Sequence, residues 1–396
     1  MSKIHTSFSR LKDYCEKENY KGWDPYDGLN SKLFQALPFL KNWDLARLVW
    51  IQSFKRSPIN FRKIVAVPKE HNSKGVALFL SGYCNLYHIA KKGNTDFGTV
   101  DELKSKIIEV ATLLLSLQNI QYSGSCWGYN FDWQARRLFL FPKNLPTVVA
   151  TSFCVEALLK AYEITKNEDY LDTCKSATQF ILKDLNRSEF KSGFLFSYSP
   201  MNGNNTVFNA SLLGAKVLSL VYKYTKEELL KSTALETVRA CCDAQKKNGS
   251  WVYGMLPVQS WIDSFHTGYN LDAIQVYQNC TNDRQFKENI KKGNEYYLKN
   301  FFLPDGTPKY YHNRTFPIDI HCPGQLFVTL SKTKTFEQNK ELATKVLDWT
   351  LNNMQNKKGY FYYQIKKGIS SKISYMRWSN AFMFNAISYY LLENKK

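Results

Sequence analysis

The sequence predicts an all-α fold in which about twelve helices pair into six hairpins and close into a ring. Three observations predict it: an aromatic, strand-like segment recurs along the chain, a helix that is apolar on nearly every side follows each copy, and a charged amphipathic helix completes each unit. The chain has 396 residues, of which 44% are hydrophobic, so it can build a sizeable core and is not intrinsically disordered.

The recurring segments combine glycine with tryptophan, tyrosine or phenylalanine, and they repeat at intervals of about 50 to 70 residues. They occupy residues 124–129, 192–198, 249–254, 305–311 and 358–363. We expect them to form short β-like hairpins in the loops between helix pairs.

The predicted helices fall into an inner and an outer layer. Apolar helices with small residues at their starts are expected inside, at 147–162, 206–222, 265–277, 320–330 and 378–391. Amphipathic helices are expected outside, at 168–185, 226–244, 283–300 and 336–354. Further helices at 44–54, 75–87 and 101–117 bring the number to about twelve.

This pattern resembles the six-hairpin (α/α)6 toroid shared by glycoside hydrolases, polysaccharide lyases and sugar epimerases. Residues 127–133 (WGYNFDW) and 263–270 (DSFHTGYN) are similar to segments of bacterial toroid proteins from capsule and lipopolysaccharide gene clusters. The resemblance spans about residues 40–393. It implies one toroid domain over residues 1–396, with residues 1–40 as an N-terminal extension that packs on the barrel. An open α-solenoid is the alternative, but solenoid repeats are usually shorter and lack the aromatic segments.

The loops that enter the inner helices line one mouth of such a ring, so polar residues there are the candidate site residues. The first cluster precedes the helix at 147 and contains Trp127, Tyr129, Asn130, Asp132, Trp133, Arg136 and Arg137. Aromatic faces beside amides and a carboxylate suit a pyranose ring, which presents C–H faces and hydroxyls. We expect Asp132 to be catalytic; the alternative is that the tryptophans pack in the core and Asp132 caps a turn.

The second cluster contains Trp261, Asp263, His266, Tyr269 and Asn270. On a helix that begins near residue 265, the last three of these share one face. Histidine exchanges protons near neutral pH, tyrosine can serve as its partner acid or base, and asparagine can bind a uronate carboxylate. The set resembles that of toroid polysaccharide lyases. The alternatives are that Asp263 is a helix N-cap and His266 a core histidine.

The third cluster lies one unit later and contains Asp319, His321 and Gln325; the last unit adds Arg377, Trp378 and Asn380. Asp319 and His321 are candidate catalytic residues, or else a cap and a histidine bonded to a loop carbonyl. Arg377 can clamp a carboxylate or phosphate of the substrate, or pair with a carboxylate of the protein.

Two chemistries stay open for a carbohydrate-active enzyme with these residues, because the fold does not choose the reaction. Asp132, Asp263 and Asp319 suit a two-carboxylate hydrolase, whereas His266 and Tyr269 suit proton abstraction in a lyase or epimerase. The net charge of +19 points to an acidic glycan or glycan precursor of surface-polysaccharide metabolism. A non-catalytic glycan-binding or scaffold protein is the rival function.

Several signals are missing from the sequence. It contains no Walker A loop, Rossmann glycine triplet, Gly-x-Ser-x-Gly elbow or HExxH, which disfavours nucleotide-dependent ligases, dehydrogenases and serine hydrolases. We predict no cofactor and no metal; zinc held by Asp319, His321 and Cys322, in a zinc-dependent toroid cyclase or transferase, is the alternative. Nucleic-acid motifs, a signal peptide and a transmembrane stretch are also absent, so we expect a cytoplasmic protein that does not bind nucleic acid.

Overall fold

The computed structural model describes residues 3–135 and 140–394. Helices account for most of this part of the chain, and the strands are short. The helices are α1 (Lys3–Lys17), α2 (Lys32–Gln35), α3 (Pro38–Lys41), α4 (Asp44–Arg56), α5 (Ser73–Lys91), α6 (Val100–Ser116), α7 (Val148–Thr165), α8 (Glu168–Gln179), α9 (Phe208–Thr225), α10 (Glu228–Asp243), α11 (Ser264–Thr281), α12 (Lys287–Phe301), α13 (His321–Lys332), α14 (Lys340–Met354) and α15 (Phe382–Glu393). None of the described helices is long and apolar enough to cross a membrane.

Within the described residues, α5, α7, α9, α11, α13 and α15 form a closed inner ring, since each packs against the next and α15 packs against α5. These helices are buried on nearly all sides, which explains their unbroken apolar composition. The predicted all-α (α/α)6 toroid is therefore confirmed, and the predicted inner helices correspond to α7, α9, α11, α13 and α15.

Capping side chains fix where several inner helices begin. The side chains of Asn72, Thr147 and Asp263 accept hydrogen bonds from the third backbone N–H of α5, α7 and α11. At the opposite ends of α7 and α11, one residue adopts the left-handed backbone conformation, Lys166 and Asn282 respectively. This residue ends the inner helix, and the chain then reverses direction to begin the outer helix. The capped starts of these three inner helices therefore face one mouth of the ring.

Two of the five aromatic segments, at 192–198 and 358–363, form the expected short hairpins, whereas those at 124–129, 249–254 and 305–311 take part in isolated β-bridges. β1 (Trp133–Gln134) pairs with β2 (Leu140–Phe141), and β3 (Arg187–Phe190) pairs with β4 (Gly193–Phe196), both antiparallel. β5 (Ile318–Asp319), β6 (Tyr362–Ile365) and β7 (Ser370–Ser374) form a three-stranded antiparallel sheet. This sheet fixes the start of α13 beside the final aromatic segment.

One glycine in each aromatic segment contacts the outer helix of the following pair so closely that a Cβ there would lie 1.9 to 2.5 Å from a backbone carbonyl oxygen. The contacts are Gly124 with Ser176 of α8, Gly193 with Glu236 of α10, Gly249 with Lys292 of α12, Gly306 with Lys345 of α14, and Gly359 with Arg10 of α1. The last contact places α1 in the outer layer, as the partner of α15.

This arrangement differs from the sequence analysis, which counted a helix at 44–54 in the ring and treated residues 1–40 as an extension. α1 buries Phe8, Leu11 and Cys15 against the ring, and its partner α15 comes from the other end of the chain. The pattern of a single amphipathic helix does not reveal a partner so distant in sequence.

We expect Gly249→Ala to destabilise the protein by about 3 kcal/mol or more, because a Cβ at this position would lie 2.2 Å from the Lys292 oxygen. Gly93→Ala is the matched control. Gly93 has a similar positive φ, +91° against +89°, but open space around its Cβ position, so only the backbone strain of about 1 kcal/mol applies. Urea unfolding of both variants measures the difference, and equal losses would show that the helix contact contributes nothing.

Residues 24–70, which we name the mouth segment, lie beside the mouth and carry α2, α3 and α4. They have their own small hydrophobic cluster around Leu29, Phe34 and Ile51. One buried ion pair, Asp24 with Arg377, joins the segment to the chain just before α15, and another, Asp27 with Arg62, joins the two ends of the segment. Arg62 donates to an Asp27 oxygen at 2.6 Å and to the Asp24 carbonyl at 2.7 Å.

Candidate active site

A cavity of about 310 Å³ opens at the mouth of the ring. Its walls are mainly aromatic: Tyr26, Tyr129, Phe131, Trp133, Phe141, Tyr198, Tyr253, Trp261, Phe265, Tyr310 and Trp378. The charged or titratable heads at its lining belong to Lys55, Lys74, His266, Tyr269, His321 and Arg377, besides further tyrosines. Among the described residues no Asp or Glu lines this cavity, and the residues outside the described ranges include neither amino acid.

Asp263 and His266 form a hydrogen-bonded pair at the start of α11. One Asp263 oxygen caps the helix by accepting the His266 N–H at 3.0 Å, and the other lies 2.8 Å from Nδ1 of His266 and accepts Trp261 Nε1–H at 2.9 Å. A buried carboxylate at this distance keeps the ring proton on Nδ1. His266 therefore has its Nε2 lone pair available, and its side chain is 21% exposed at the cavity.

Lys74 and Tyr269 meet deeper in the cavity. Lys74 is 4% exposed, and its Nζ donates to the Tyr269 hydroxyl at 3.3 Å and lies 4.1 Å above the centre of the Phe153 ring. Burial lowers the pKa of Lys74 well below its ordinary value, and the Arg377 charge acts in the same direction. Burial raises the pKa of Tyr269, so its phenol stays protonated.

Sequence reasoning missed Lys74. It lies in the first turn of the first inner helix, before the earliest of the aromatic segments that marked the other helix starts. The signal that was available is a single lysine at the start of an otherwise apolar, buried helix.

His321 is buried among aromatic rings, with centroids 3.7 Å from Phe382, 4.2 Å from Trp378 and 5.1 Å from Phe265. Its Nδ1 has no hydrogen-bond partner among the described residues. Burial lowers its pKa well below the ordinary value, and the charges of Lys74 and Arg377 lower it further. His321 is therefore a neutral imidazole at the cavity wall.

Asp319 lies behind this wall. Its oxygens accept the Trp378 indole N–H at 2.8 Å, the His321 backbone N–H at 3.0 Å and the Gln364 amide at 3.2 Å. The Nδ1 of His321 is 3.7 Å away, beyond hydrogen-bond distance. Asp319 thus orients Trp378 and the start of α13.

Burial raises the pKa of Asp319 to about 6, so its ionisation opposes folding. The folded state binds this proton more tightly than the unfolded chain, and stability is expected to fall by about 2–3 kcal/mol as pH rises from 4 to 6.5. Asp27, whose pKa burial also raises to about 6, contributes in the same direction. The Asp319→Asn variant should lose less free energy of unfolding between pH 4 and 6.5 than the wild type does, as measured by urea unfolding at both pH values. If the two proteins lost the same amount, Asp319 would not be a source of the pH dependence.

Arg377 pairs with a carboxylate of the protein. Its Nε and Nη2 donate to the two Asp24 oxygens at 2.6 and 2.8 Å, both groups being buried. The guanidinium also lies 5.0 Å from the Tyr129 ring centre and lines the cavity. The ion pair uses one edge of the guanidinium and fixes it at the cavity wall.

Tyr129, Trp133, Trp261 and Trp378 line the cavity as expected for substrate-binding residues, with Trp133 stacked on Phe141. Trp127 does not line it, since it is fully buried and donates to the Leu114 carbonyl. Arg136 and Arg137 lie outside the described residues.

The remaining candidates lie away from the cavity surface. Asn130 bonds to Asn72, and Asp132 accepts the Lys143 N–H at 2.7 Å. Gln325 donates to Asp272 below the cavity, Asn380 accepts the Phe361 N–H, and Asn270 is buried. These contacts order loops and helix starts. No group of three His, Cys, Asp or Glu side chains in the described part of the chain is arranged to hold a metal ion.

Comparison with known proteins finds no matching family model and no matching curated sequence. Solved structures do match. A cellobiose 2-epimerase from Bacillus thermoamylovorans B4167 is 15% identical, with 81% of this chain and 90% of that chain covered and a TM-score of 0.58. A glycoside hydrolase family 76 mannosidase from Bacteroides thetaiotaomicron VPI-5482 is 12% identical over 100% of both chains, with a TM-score of 0.61.

An unsaturated glucuronyl hydrolase specific for heparin is 11% identical, with 82% of this chain and 87% of that chain covered and a TM-score of 0.58. At such identities the likeness concerns the fold, and a fold of this kind supports several reactions. This chain is therefore similar in structure to (α/α)6 toroid enzymes that act on carbohydrates.

Proposed function

We propose that the protein is a sugar epimerase or isomerase in which His266 moves a carbon-bound proton. The observation that carries this proposal is the lining of the cavity, where imidazole, amine and phenol groups are present and, among the described residues, no carboxylate is. The names of two similar structures, a cellobiose 2-epimerase and a D-mannose isomerase, agree with this class of reaction.

The cavity does not support hydrolysis by two carboxylates. That reaction requires one carboxyl group to protonate the glycosidic oxygen and another to act on the opposite face of the sugar, both in contact with the substrate. Asp24, Asp263 and Asp319 all lie behind the cavity wall, where they hold Arg377, His266 and Trp378. Asp132 is engaged with Lys143 in a loop.

The proposed chemistry begins with an open-chain sugar whose carbonyl lies next to the carbon that reacts. His266 Nε2 takes the proton from that carbon, and the C–H electron pair forms an enediolate. Lys74 and the neutral His321 donate hydrogen bonds to the oxygen that becomes negative. Return of the proton from His266 to the neighbouring carbon, with the hydroxyl proton shifting to the other oxygen, gives an isomer. An epimer forms when the enediolate turns its other face toward His266 before the proton returns to the original carbon.

Aromatic walls suit stacking on sugar rings. Within the wall, Tyr253 and Trp261 stack on each other with ring centroids 4.5 Å apart, which holds both rings in place. Lys55 adds a positive charge to the lining, and Arg377 keeps one edge of its guanidinium at the cavity wall beside its pair with Asp24. On this ground we extend the proposal to an acidic glycan or glycan precursor, in keeping with a role in surface-polysaccharide metabolism.

Incubation in D₂O with a panel of neutral and acidic mono- and disaccharides tests the reaction. We expect deuterium at the carbon next to the carbonyl, together with a new epimer or ketose, and loss of both in His266→Ala. New reducing ends without deuterium would contradict the proposal in favour of hydrolysis. A new ultraviolet-absorbing double bond would contradict it in favour of elimination. Binding without any product would favour the non-catalytic rival.

A further inference from the structure

The mouth segment carries an unusual share of exposed apolar surface. In the described part of the chain, eight of the fifteen large hydrophobic side chains that are exposed fall between residues 33 and 64. They are Leu33, Phe39, Trp43, Leu45, Val49, Ile59, Phe61 and Ile64, with exposed fractions from 38% to 80%. Concentration of such side chains in one short segment is typical of an interaction surface.

The mouth segment is also basic. Residues 24–70 contain eight Lys or Arg and four Asp or Glu, and two of these acids, Asp24 and Asp27, are buried. Lys32, Lys41 and Lys63 are exposed among the apolar side chains. Arg62 is buried in its pair with Asp27, and Arg47 and Lys69 pair with Asp44 and Glu18.

We propose that the mouth segment docks on an anionic lipid bilayer. Exposed aliphatic and aromatic side chains that alternate with lysines match the interface of such a bilayer, where apolar groups enter the acyl boundary and cations meet lipid phosphates. Tryptophan, here Trp43, is favoured at that depth. A second copy of the chain fits less well, because a symmetric contact would bring two basic surfaces together.

The position of α4 links this surface to the cavity. Leu45 and Val49 are exposed on α4, and Gln52, which follows them on the same helix face, lines the cavity together with Lys55. Arg47 donates to the cavity residue Gln134 at 2.9 Å. Docking would therefore hold the mouth of the ring beside the lipid headgroups. This inference does not depend on the reaction proposed above.

Sedimentation of the full chain with vesicles tests the docking. We expect binding to phosphatidylglycerol–phosphatidylcholine vesicles, at least tenfold weaker binding to phosphatidylcholine alone, and a tenfold or greater loss in the double variant Trp43→Ser, Val49→Ser. The matched control is Ile108→Ser, Leu229→Ser, which changes two exposed apolar residues, 44% and 63% exposed, outside the segment. This control should bind like the wild type.

A charge variant, Lys32→Gln, Lys41→Gln, Lys63→Gln, should lose binding to the anionic vesicles, as should the wild type in high salt. Circular dichroism and thermal unfolding establish that each variant is folded. Absence of vesicle binding, or equal binding by the mouth-segment and control variants, would overturn the proposal. A wild-type dimer that Trp43→Ser, Val49→Ser makes monomeric would also overturn it, by assigning the surface to a second copy.

Discussion

His266→Ala is expected to lower kcat for proton exchange by about 10²- to 10⁴-fold, because the variant lacks the general base while the aromatic walls of the cavity remain. The measurement is the rate of deuterium incorporation into the substrate. His312→Ala is the control, since His312 lies outside the cavity lining and contacts the Ile262 carbonyl. It should retain the rate of the wild type.

Asp263→Asn tests the same base through its orientation. The asparagine oxygen can still cap α11, but its amide would donate to Nδ1 of His266 and drive the ring proton to Nε2, where the lone pair is required. We expect a loss of kcat similar in size to that of His266→Ala, with a changed pH–rate profile. Full activity in either variant would remove the pair from the mechanism.

Lys74→Met is expected to lower kcat more than a hundredfold and, at the same time, to stabilise the fold by about 1–3 kcal/mol. The variant loses the donor for the enediolate oxygen. It gains stability because methionine fits an apolar site between Phe153 and Phe382, where the polar head of Lys74 has no carboxylate partner in hydrogen-bond range among the described residues. Isotope exchange and urea unfolding measure the two effects.

Lys216→Met is the control for Lys74→Met. Lys216 is buried as deeply but pairs with Glu156 at 2.5 Å, below the cavity. Its loss removes one of the two lysines that compensate Glu156, so it should destabilise the fold without lowering the rate per folded molecule. If Lys74→Met kept its activity, or lost stability as Lys216→Met does, Lys74 would be a structural residue.

The sequence was sufficient for the ring because each unit repeats the same local signals. The apolar run of α9, the capping residues of α7 and α11 and the glycines of the aromatic segments each correspond to a separate physical requirement of the fold. The sequence of α1 did not show that α1 belongs to the ring. Its partner α15 and the glycine against which it packs, Gly359, lie at the far end of the chain.

The cavity was predicted less completely, for a geometric reason. Sequence placed His266, Tyr269, His321 and Trp378 near the mouth, where they lie. It could not distinguish groups that face the cavity from groups one layer behind, such as Asp263 and Asp319, because both follow the same loops. Lys74 and the wall residues Tyr198 and Tyr310 needed the closed ring to bring them together.

The antiparallel pairing of α1 with α15 brings Lys3 and Glu393 toward the same end of the ring. The start of α1 meets the loop after α5, where His5 Nδ1 lies 2.9 Å from Asp96, and its later part reaches the mouth, where Tyr14 bonds to Ser374. A circular permutant that joins residue 393 to residue 3 and opens the chain near Gly93 would give the last pair an ordinary helical hairpin. The ring has no intrinsic first helix, and the point at which the chain is cut is independent of the architecture.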